Sequence, residues 1–381
     1  MWKVPIYNTA FDEKEPEIVQ RIIRSGWLTM GEMTDRFEKS FAEFIGVRHA
    51  IAVSSGTAAL HLANLALGVS GGNEVICPSL TFVAGANSII YAGARPVFAD
   101  ISGSDNVNIS PEDIESNITD NTRAIQVVHY AGFPCDMESI IRIADKYGLA
   151  VIEDCAHSLG AEYNGKMCGS IGNIGCFSFF SNKNMTTAEG GMIVTDSDQL
   201  AQKLRLMRSH GMTSLTMDRH LGNAFSYDVT SLGFNYRIDE IRSALGIVQL
   251  EKLTFSNNKR RELAQSYMEK LEDVSGLNIP FIKNTGLSAH HIFPVLLDNG
   301  INRHKFMQYL KDKGIQTSIH YPCIHQFEFY RREFGCKEGM LPVTEDITKR
   351  EVTLPLYPSM SEESVQYVCK EVAEYLKKGD C

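Results

Sequence analysis

Short apolar runs alternate with helix-like runs along the chain from about Gly46 to Asp196. The apolar runs have the length and β-branched content of buried strands, and they cover residues 49–53, 74–77, 95–99, 124–129 and 150–153. Between them the pattern predicts helices over residues 58–67, 81–93 and 137–148. This alternation is typical of parallel strands that are joined by crossover helices. It predicts an α/β fold with a mostly parallel central sheet.

After residue 198 the spacing of apolar residues changes to that of helices, over residues 199–210, 238–253 and 257–272. Two strands (291–297 and 316–320) and two helices (304–313 and 362–377) follow and predict a smaller α+β unit. A chain of 381 residues is long enough for two such units. We therefore predict a large α/β domain over residues 1–250 and a small C-terminal α+β domain over residues 251–381.

Composition excludes several classes of partner. The formal net charge is −9 and no segment is dense in Lys or Arg, which argues against nucleic-acid binding. No apolar run approaches the roughly 18 residues of a membrane span. The nine cysteines are an odd number without a repeating interval, as is typical of reduced thiols. We expect a cytoplasmic protein without nucleic-acid or membrane partners.

Lys183 lies between two strand-like runs, just before a pair of glycines. Burying a charged lysine between apolar strands is costly, so its pKa should fall and leave an amine that can form an imine with an aldehyde. The aldehyde cofactor that this suggests is pyridoxal 5'-phosphate (PLP). PLP needs an acid at its ring nitrogen, a cradle for its phosphate and a flat group against its ring. Taken alone, however, Lys183 would be read as a solvated surface lysine.

All three further groups occur at plausible places upstream. Asp154 ends a predicted strand, where open α/β sheets bind their ligands. Residues 54–57 read Ser-Ser-Gly-Thr between a strand and a helix, which makes an anion site from free N–H groups. Phe82 could stack on the ring. Singly, these could be a helix cap, a structural carboxylate and a core aromatic. Cys155 and His157 lack a second Cys/His pair at metal-ligand spacing, so we predict no metal site.

In order and spacing, eight segments of the chain resemble the DegT/DnrJ/EryC1/StrS family of PLP-dependent sugar aminotransferases. They cover residues 25–28, 54–60, 81–84, 152–157, 175–196, 233–237, 320–322 and 354–356. The resemblance implies the aspartate-aminotransferase-like fold, PLP fold type I. It also implies a homodimer, because the family completes each phosphate site with a residue of the neighbouring subunit.

The resemblance assigns roles to individual positions. Lys183 would be the catalytic lysine that bonds the cofactor. The cofactor-binding residues would be Asp154 at the ring nitrogen, Gly56, Thr57 and Ser178 at the phosphate, Phe82 on the ring face, His157 near the ring hydroxyl and Asn235 at the neighbour's phosphate. Substrate-binding residues would be Tyr7, Trp27, Leu28, His320 and Tyr321. Arg237 is either an anion clamp or half of a structural ion pair.

The implied reaction moves an amino group from an amino acid, glutamate by resemblance, to a keto group of a nucleotide-linked sugar. Lys183 would move the proton in both half-reactions. His157 stands where many members carry Gln, and Ala188 where Gly is commonest. Both variants favour a 4-keto-6-deoxyhexose. The nucleotide, the sugar and the product stereochemistry stay open.

Other functions are compatible with parts of the pattern. Amination could occur at C3 of the sugar or on a cyclitol ketone. A PLP-dependent sugar dehydratase would carry His in place of Lys183. A non-catalytic PLP-binding regulator would need a DNA-binding extension, for which the sequence gives no pattern. A nicotinamide-dependent oxidoreductase would need a glycine fingerprint, and the glycines of residues 169–175 are wrongly spaced for one.

Overall fold

The computed structural model describes residues 2–214, 226–284 and 286–378. In chain order its strands are β1 (His49–Val53), β2 (Glu74–Pro78), β3 (Arg95–Ala99), β4 (Thr122–Val128), β5 (Ala150–Asp154), β6 (Glu162–Tyr163), β7 (Lys166–Met167), β8 (Ile174–Ser178), β9 (Gly191–Thr195), β10 (Leu277–Asn278), β11 (Phe293–Leu297) and β12 (Glu351–Leu354). Its helices are α1 (Lys14–Ser25), α2 (Glu32–Ile45), α3 (Gly56–Ala66), α4 (Ala84–Tyr91), α5 (Pro111–Ser116), α6 (Met137–Tyr147), α7 (Asp198–Arg208), α8 (Glu240–Leu271), α9 (Arg303–Asp312), α10 (Glu328–Phe334), α11 (Pro342–Arg350) and α12 (Glu362–Lys378).

A seven-stranded sheet forms the centre of the molecule, in the order β1-β9-β8-β5-β4-β2-β3. All its strands are parallel except β9, which runs antiparallel to both of its neighbours. The carboxyl ends of β1, β5 and β8 consequently lie along one edge of the sheet. The predicted α/β class with a mostly parallel sheet is confirmed.

Helices cover both faces of this sheet. On one face, α2 and the first half of α8 pack around a cluster of aromatic rings that includes Phe37, Phe41, Phe177 and Phe179. On the other face, α3 and α7 pack against the apolar residues of β1, β8 and β9. Because both faces are covered, the strands of the centre read as continuous apolar runs rather than as alternating ones.

The predicted strands in the first half of the chain are confirmed to within two residues at each end. The helix predicted over residues 81–93 is shorter and spans Ala84–Tyr91. The helix predicted over residues 137–148 is confirmed: Asp136 caps its first turn by accepting from the Ser139 N–H, and Gly148 ends it at a φ of 66°. A left-handed residue of this kind is the usual helix terminator.

Two predictions for the second half are wrong. The helices predicted over residues 238–253 and 257–272 form one helix of 32 residues, α8, because the residues between them include no glycine or proline to break it. The strand predicted over residues 316–320 is not formed. The backbone of this segment instead pairs with two different parts of the chain. Ile315 forms an isolated β-bridge with Val4, and Ser318 forms one with Thr353.

A second core lies in the C-terminal part. The strands β10, β11 and β12 form a three-stranded antiparallel sheet, and α9, α12 and the second half of α8 pack on it. The strand predicted over residues 291–297 is β11, and the predicted helices over residues 304–313 and 362–377 are α9 and α12. The division of the chain at residue 250 stays a prediction; this residue lies within α8.

One C-terminal segment packs on the large sheet instead. Ile324, Tyr330, Cys336 and Leu341 share a core with residues of β2, β3 and α4. A buried hydrogen-bonded chain fastens this segment, since Ser79 Oγ lies 2.7 Å from His325 Nδ1 and His325 Nε2 lies 3.0 Å from a Glu345 oxygen. The segment after residue 320 is thereby held close to the edge of the sheet where the strands end.

No helix in the described ranges is both long and apolar enough to cross a bilayer. Eight of the nine cysteines are free thiols in buried positions, and Cys381 lies outside the described residues.

Candidate active site

A cavity of about 400 Å³ opens at the carboxyl ends of β1, β5 and β8. Besides Lys183, eight of the residues that the sequence singled out line it: Gly56, Thr57, Phe82, Asp154, His157, Ser178, His320 and Tyr321. Each of the first six lies just after, or at the end of, a strand of the central sheet, whereas His320 and Tyr321 arrive from the C-terminal part.

One end of the cavity is suited to an anion. Ser55 caps α3 by accepting from the Ala58 N–H at 3.1 Å, so the helix begins at Gly56 and Thr57, whose N–H groups have no acceptor within the helix. Gly56 has little room for a side chain, because a Cβ there would lie 2.8 Å from Ser178 Cβ. The turn therefore packs directly on the end of β8, with the Ser178 side chain beside it.

Lys183 belongs to the loop between β8 and β9, and its N–H donates to the Phe180 carbonyl at 2.9 Å. Burial lowers the pKa of Lys183 to about 8, and the charge of Asp154 opposes this shift. Asp154 is 6% exposed. Burial raises its pKa, while the Ala156 N–H, which donates to Oδ1 at 3.0 Å, and the charge of Lys183 lower it. The two groups thus form a weakly solvated pair of opposite charge.

Three further polar groups are held uncharged at the wall. Burial and then the charge of Lys183 keep the pKa of His157 well below its ordinary value and lower that of His320 to about 4. His157 Nε2 lies 3.1 Å from the Tyr321 hydroxyl, whose pKa is raised by burial. His157 Nδ1 is buried and has no hydrogen-bond partner among the described residues, so it can meet a polar group of a bound molecule.

His320 is backed by a buried polar group. The backbone N–H of His320 donates to one oxygen of Glu351 at 2.8 Å. The ring Nδ1 of His320 lies 2.8 Å from the Thr353 hydroxyl, and this hydroxyl donates to the other Glu351 oxygen at 2.6 Å. Burial raises the pKa of Glu351 to about 8. This arrangement fixes the ring of His320 at the cavity wall.

Phe82 reaches the cavity from the loop before α4 and keeps 58% of its surface exposed. Its ring centroid lies 6.1 Å from that of Tyr321. An aromatic ring that is this exposed at a cavity mouth does not serve the core of its own chain, which agrees with a surface that a planar ligand could cover.

Other predicted residues lie apart from this cavity in the described part of the chain. Asn235 is exposed, and its backbone forms an isolated β-bridge with Ser209. The backbone of Arg237 forms a similar bridge with Val53 at the end of β1. Leu28 is 47% exposed. Neither Leu28 nor Trp27 is part of the described wall. Tyr7 lines a neighbouring cavity of about 230 Å³ instead, which shares Asn182 and His320 with the first one.

His291 was not predicted as a site residue, yet its Nε2 lies 3.4 Å from Lys183 Nζ. It comes from the residues just before β11, more than a hundred positions after Lys183. The only signal in the sequence is a pair of histidines ahead of an apolar strand, which does not by itself indicate a site.

A group of possible metal ligands lies behind the cavity. Atoms of His129, Glu153 and Cys155 lie within 4.8 Å of one another. The Glu153 carboxylate already accepts from the N–H groups of Gly169, Ile171 and Gly172, and from His129 Nε2 at 3.0 Å. His129 Nδ1 accepts from the Cys135 N–H. The hydrogen-bonding capacity of the histidine and the carboxylate is thus spent on the protein, and the group is best explained as a structural network.

The residues of the cavity fit PLP on three counts. The N-terminus of α3 and Ser178 offer donors to a phosphate, and Asp154 offers a carboxylate to a ring nitrogen. The unpartnered Nδ1 of His157 can meet a ring substituent. PLP supplies an aldehyde that bonds to amines and a ring that draws electrons from the substrate carbon.

Comparisons with known proteins agree. The DegT/DnrJ/EryC1/StrS aminotransferase family matches residues 9–373. The chain is 40% identical over 382 residues to the spore coat polysaccharide biosynthesis protein SpsC of Bacillus subtilis, covering 99% of this chain and 98% of SpsC.

Two solved structures extend the agreement to the fold. PseC of Helicobacter pylori, an aminotransferase involved in the biosynthesis of pseudoaminic acid, superposes with a TM-score of 0.90 at 32% identity, covering 99% of both chains. Spr1654 of Streptococcus pneumoniae, named as a sugar aminotransferase, superposes in its PLP form with a TM-score of 0.91 at 26% identity, covering 99% of this chain and 98% of the other. This chain therefore belongs to the DegT/DnrJ/EryC1/StrS aminotransferase family and is a PLP-dependent sugar aminotransferase of fold type I.

Proposed function

We propose that the enzyme transfers the amino group of glutamate to the C4 keto group of a nucleotide-linked 6-deoxyhexose. The observation that carries the proposal is that Lys183 and Asp154 share one cavity with the N-terminus of α3. A proton-transfer group, a carboxylate for the ring nitrogen and an anion site are the three functions that PLP-dependent transamination requires.

In this proposal Lys183 is the catalytic residue, and its pKa of about 8 suits the task. A group whose pKa lies near the working pH can both take up and release a proton at useful rates. Lys183 would take the proton from the donor carbon and return it on the other side of the reaction. Asp154 would keep the ring nitrogen protonated, with its Oδ1 held in place by the Ala156 N–H.

The remaining predicted contacts are part of the same proposal. Gly56, Thr57 and Ser178 would hold the phosphate, Phe82 would cover the ring, and His157 would meet the ring hydroxyl. His320 and Tyr321 would line the space for the sugar, since both reach the same cavity. The neighbouring cavity with Tyr7 adjoins this space and could admit the rest of a larger substrate. Trp27 and Leu28 would also line the sugar pocket. Arg237 would bind an anion, either the carboxylate of the amino donor or a phosphate of the nucleotide.

The choice of a 4-keto sugar is supported by His157 and Ala188, the two departures from the common family pattern. The space beside Lys183 also suits a C3 ketone or a cyclitol ketone, so these remain the alternative substrates. A sugar dehydratase is disfavoured because Lys183 stands where those enzymes carry histidine.

A substrate panel tests the proposal. The purified enzyme would be given glutamate with UDP-, dTDP- or GDP-linked 4-keto-6-deoxyhexoses, their 3-keto isomers, and a free cyclitol ketone. We expect one nucleotide-linked 4-keto sugar to gain an amino group, read as the product mass, with kcat/KM at least about a hundredfold above the 3-keto isomers. Turnover of the cyclitol ketone alone, or of the 3-keto sugars alone, would contradict the proposed substrate.

We also propose that the enzyme is a cytoplasmic homodimer with shared active sites. Asn235 is exposed on its own chain and lies outside the described wall of that chain's cavity, which supports a role in a neighbour's cavity. Large apolar side chains close to it in sequence are also exposed, with Leu232 at 80% and Val229 at 55%. Exposed apolar residues grouped in one segment are typical of a surface that is covered in an assembly.

Mixing two inactive variants tests the shared site. Lys183→Ala removes the lysine, and Asn235→Asp places a negative charge where a neighbour's cofactor phosphate would bind. We expect each variant alone to be nearly inactive and a co-expressed mixture to recover about a quarter of wild-type activity, since half of the dimers would hold one intact site. A mixture no more active than its better parent would show that each subunit builds its site alone.

A further inference from the structure

His291 is a buried residue next to Lys183 that the proposed mechanism leaves without a role. It is 4% exposed, and its Nε2 lies 3.4 Å from Lys183 Nζ. Its ring centroid lies 4.4 Å from that of His157. What His291 offers to Lys183 depends on which of its ring nitrogens carries the proton.

A chain of side-chain amides on the far side of the ring decides this. His291 Nδ1 lies 2.9 Å from Asn184 Oδ1. Asn184 Nδ2 donates to the Ala289 carbonyl and to Asn257 Oδ1, at 2.8 Å each. Asn257 Nδ2 in turn donates to the Leu159 carbonyl at 2.9 Å.

Only one assignment of donors and acceptors satisfies all of these hydrogen bonds. A backbone carbonyl can only accept a hydrogen bond, so an amide side chain beside it must present its nitrogen. The Ala289 carbonyl fixes Asn184 in this way, and the Leu159 carbonyl fixes Asn257. Asn184 must then present its oxygen to His291, and His291 Nδ1 must carry the proton. The Nε2 atom is left with a lone pair that faces Lys183.

The surroundings also keep His291 uncharged. Burial first, and then the charge of Lys183, the ring of His157, the charge of Arg260 and the ring of His320, hold its pKa well below the ordinary histidine value. The ring therefore stays a neutral acceptor over the pH range in which Lys183 titrates.

We propose that His291 is a positioning residue that accepts one N–H of the Lys183 amine and so turns the lone pair of that nitrogen towards the cavity. The opposite tautomer would donate a proton to this lone pair and block it. The role rests on the proposed function of Lys183, because an amine that takes up a proton or bonds an aldehyde needs a directed lone pair. Asn184 and Asn257 act through His291 by fixing its tautomer.

The tautomer can be observed directly. In a ¹⁵N NMR spectrum of the wild-type apo-enzyme with labelled histidine, assigned by loss of the signal in His291→Gln, we expect His291 to be protonated at Nδ1 only. Protonation at Nε2 would overturn the proposal. This measurement needs neither cofactor nor activity.

Two substitutions then separate positioning from packing. His291→Phe keeps a flat ring but accepts no hydrogen bond, whereas His291→Gln can place an amide oxygen near the position of Nε2. Trace acetylation of the apo-enzyme with acetic anhydride, read by mass spectrometry of the Lys183 peptide at several pH values, reports the pKa of Lys183. An acceptor favours the ammonium form, so we expect His291→Phe to lower this pKa by roughly one unit and His291→Gln to leave it nearly unchanged.

In the PLP-loaded enzyme we expect His291→Phe to lower kcat by about 10- to 100-fold with little change in KM, and His291→Gln to restore kcat to within about threefold. If the labelling profile and kcat of His291→Phe equal those of the wild type while Lys183→Ala is inactive, positioning by His291 is wrong and the proposed function stands. If Lys183→Ala keeps its activity, the proposed function fails instead.

Discussion

Replacing Lys183 by alanine is expected to lower transamination by at least about a thousandfold, because no other amine in the described wall of the cavity can take over the proton transfer. The variant should fold, since Lys183 lies in a loop rather than within a strand and alanine leaves the backbone of that loop unchanged. Product formation from glutamate and a keto sugar, measured by mass, gives the loss of activity. After borohydride reduction of the holoenzyme and digestion, the peptide that contains position 183 should carry the cofactor in the wild type and lack it in the variant.

Lys146→Ala is the matched control. Lys146 is an exposed lysine on α6 that pairs with Glu115 at the surface, and removing it should leave activity within about twofold of the wild type. Unchanged circular dichroism in both variants would separate loss of chemistry from loss of fold. Ordinary transamination by Lys183→Ala would refute the assignment of this residue.

The second large effect is expected for Asp154→Asn. The asparagine oxygen can still accept from the Ala156 N–H, so the local fold should survive. The amide nitrogen of the asparagine then faces the ring nitrogen of PLP in place of a carboxylate oxygen. The ring nitrogen can consequently no longer keep its proton. We expect kcat to fall by about 10²- to 10⁴-fold while PLP stays bound. A single-turnover reaction with glutamate, followed by the absorbance of the bound cofactor, measures the loss.

Asp145→Asn on the exposed surface of α6 makes the same chemical change away from the cavity and should have no effect on the rate. Removing the charge of Asp154 should also lower the pKa of Lys183 further, since this charge opposes the effect of burial. The same acetic anhydride labelling would detect that shift. A rate for Asp154→Asn within about threefold of the wild type would show that the carboxylate has no part in the chemistry.

Much of the cavity could be predicted from the sequence because of one rule of open α/β sheets. Ligands bind where the strands end, so residues that follow different strands meet in space even though they are far apart in the chain. Asp154, Ser178, Gly56 and Phe82 all follow this rule, and the structure places them around one cavity with Lys183. Their individual roles remain predictions.

Contacts that depend on the packing of distant segments could not be predicted in this way. His291 reaches Lys183 from the C-terminal part, and Asn257, which accepts from the His291 partner Asn184, lies on α8. Neither position has a local pattern. Asn235 and Arg237 lie outside the described wall of the cavity, so no rule about strand ends could have pointed to them. The resemblance to a family gave these two residues, and spacing alone would not have.

Errors in the predicted fold also have physical causes. The sequence predicts a break between the helices over residues 238–253 and 257–272. In the structure, polar residues at this place are buried instead: Ser256, Asn257 and Arg260 are each less than a tenth exposed. Periodicity cannot distinguish a buried polar stretch from an exposed turn.

This polar stretch marks where related enzymes could exchange their C-terminal parts. Upstream of it, α8 gives Ala244 and Leu253 to the core on the large sheet; downstream, it gives Leu263 and Tyr267 to the C-terminal core. The hydrogen bonds divide in the same way, because Asn257 bonds to Leu159 whereas Arg260 donates to the carbonyls of His291 and Leu356. A chimera joined at residues 258–259 would leave the apolar residues and polar anchors of α8 with the core that each of them serves, whereas a junction at residue 250 would divide them between parents. With either junction, the segment after residue 320 would pack on the other parent's sheet.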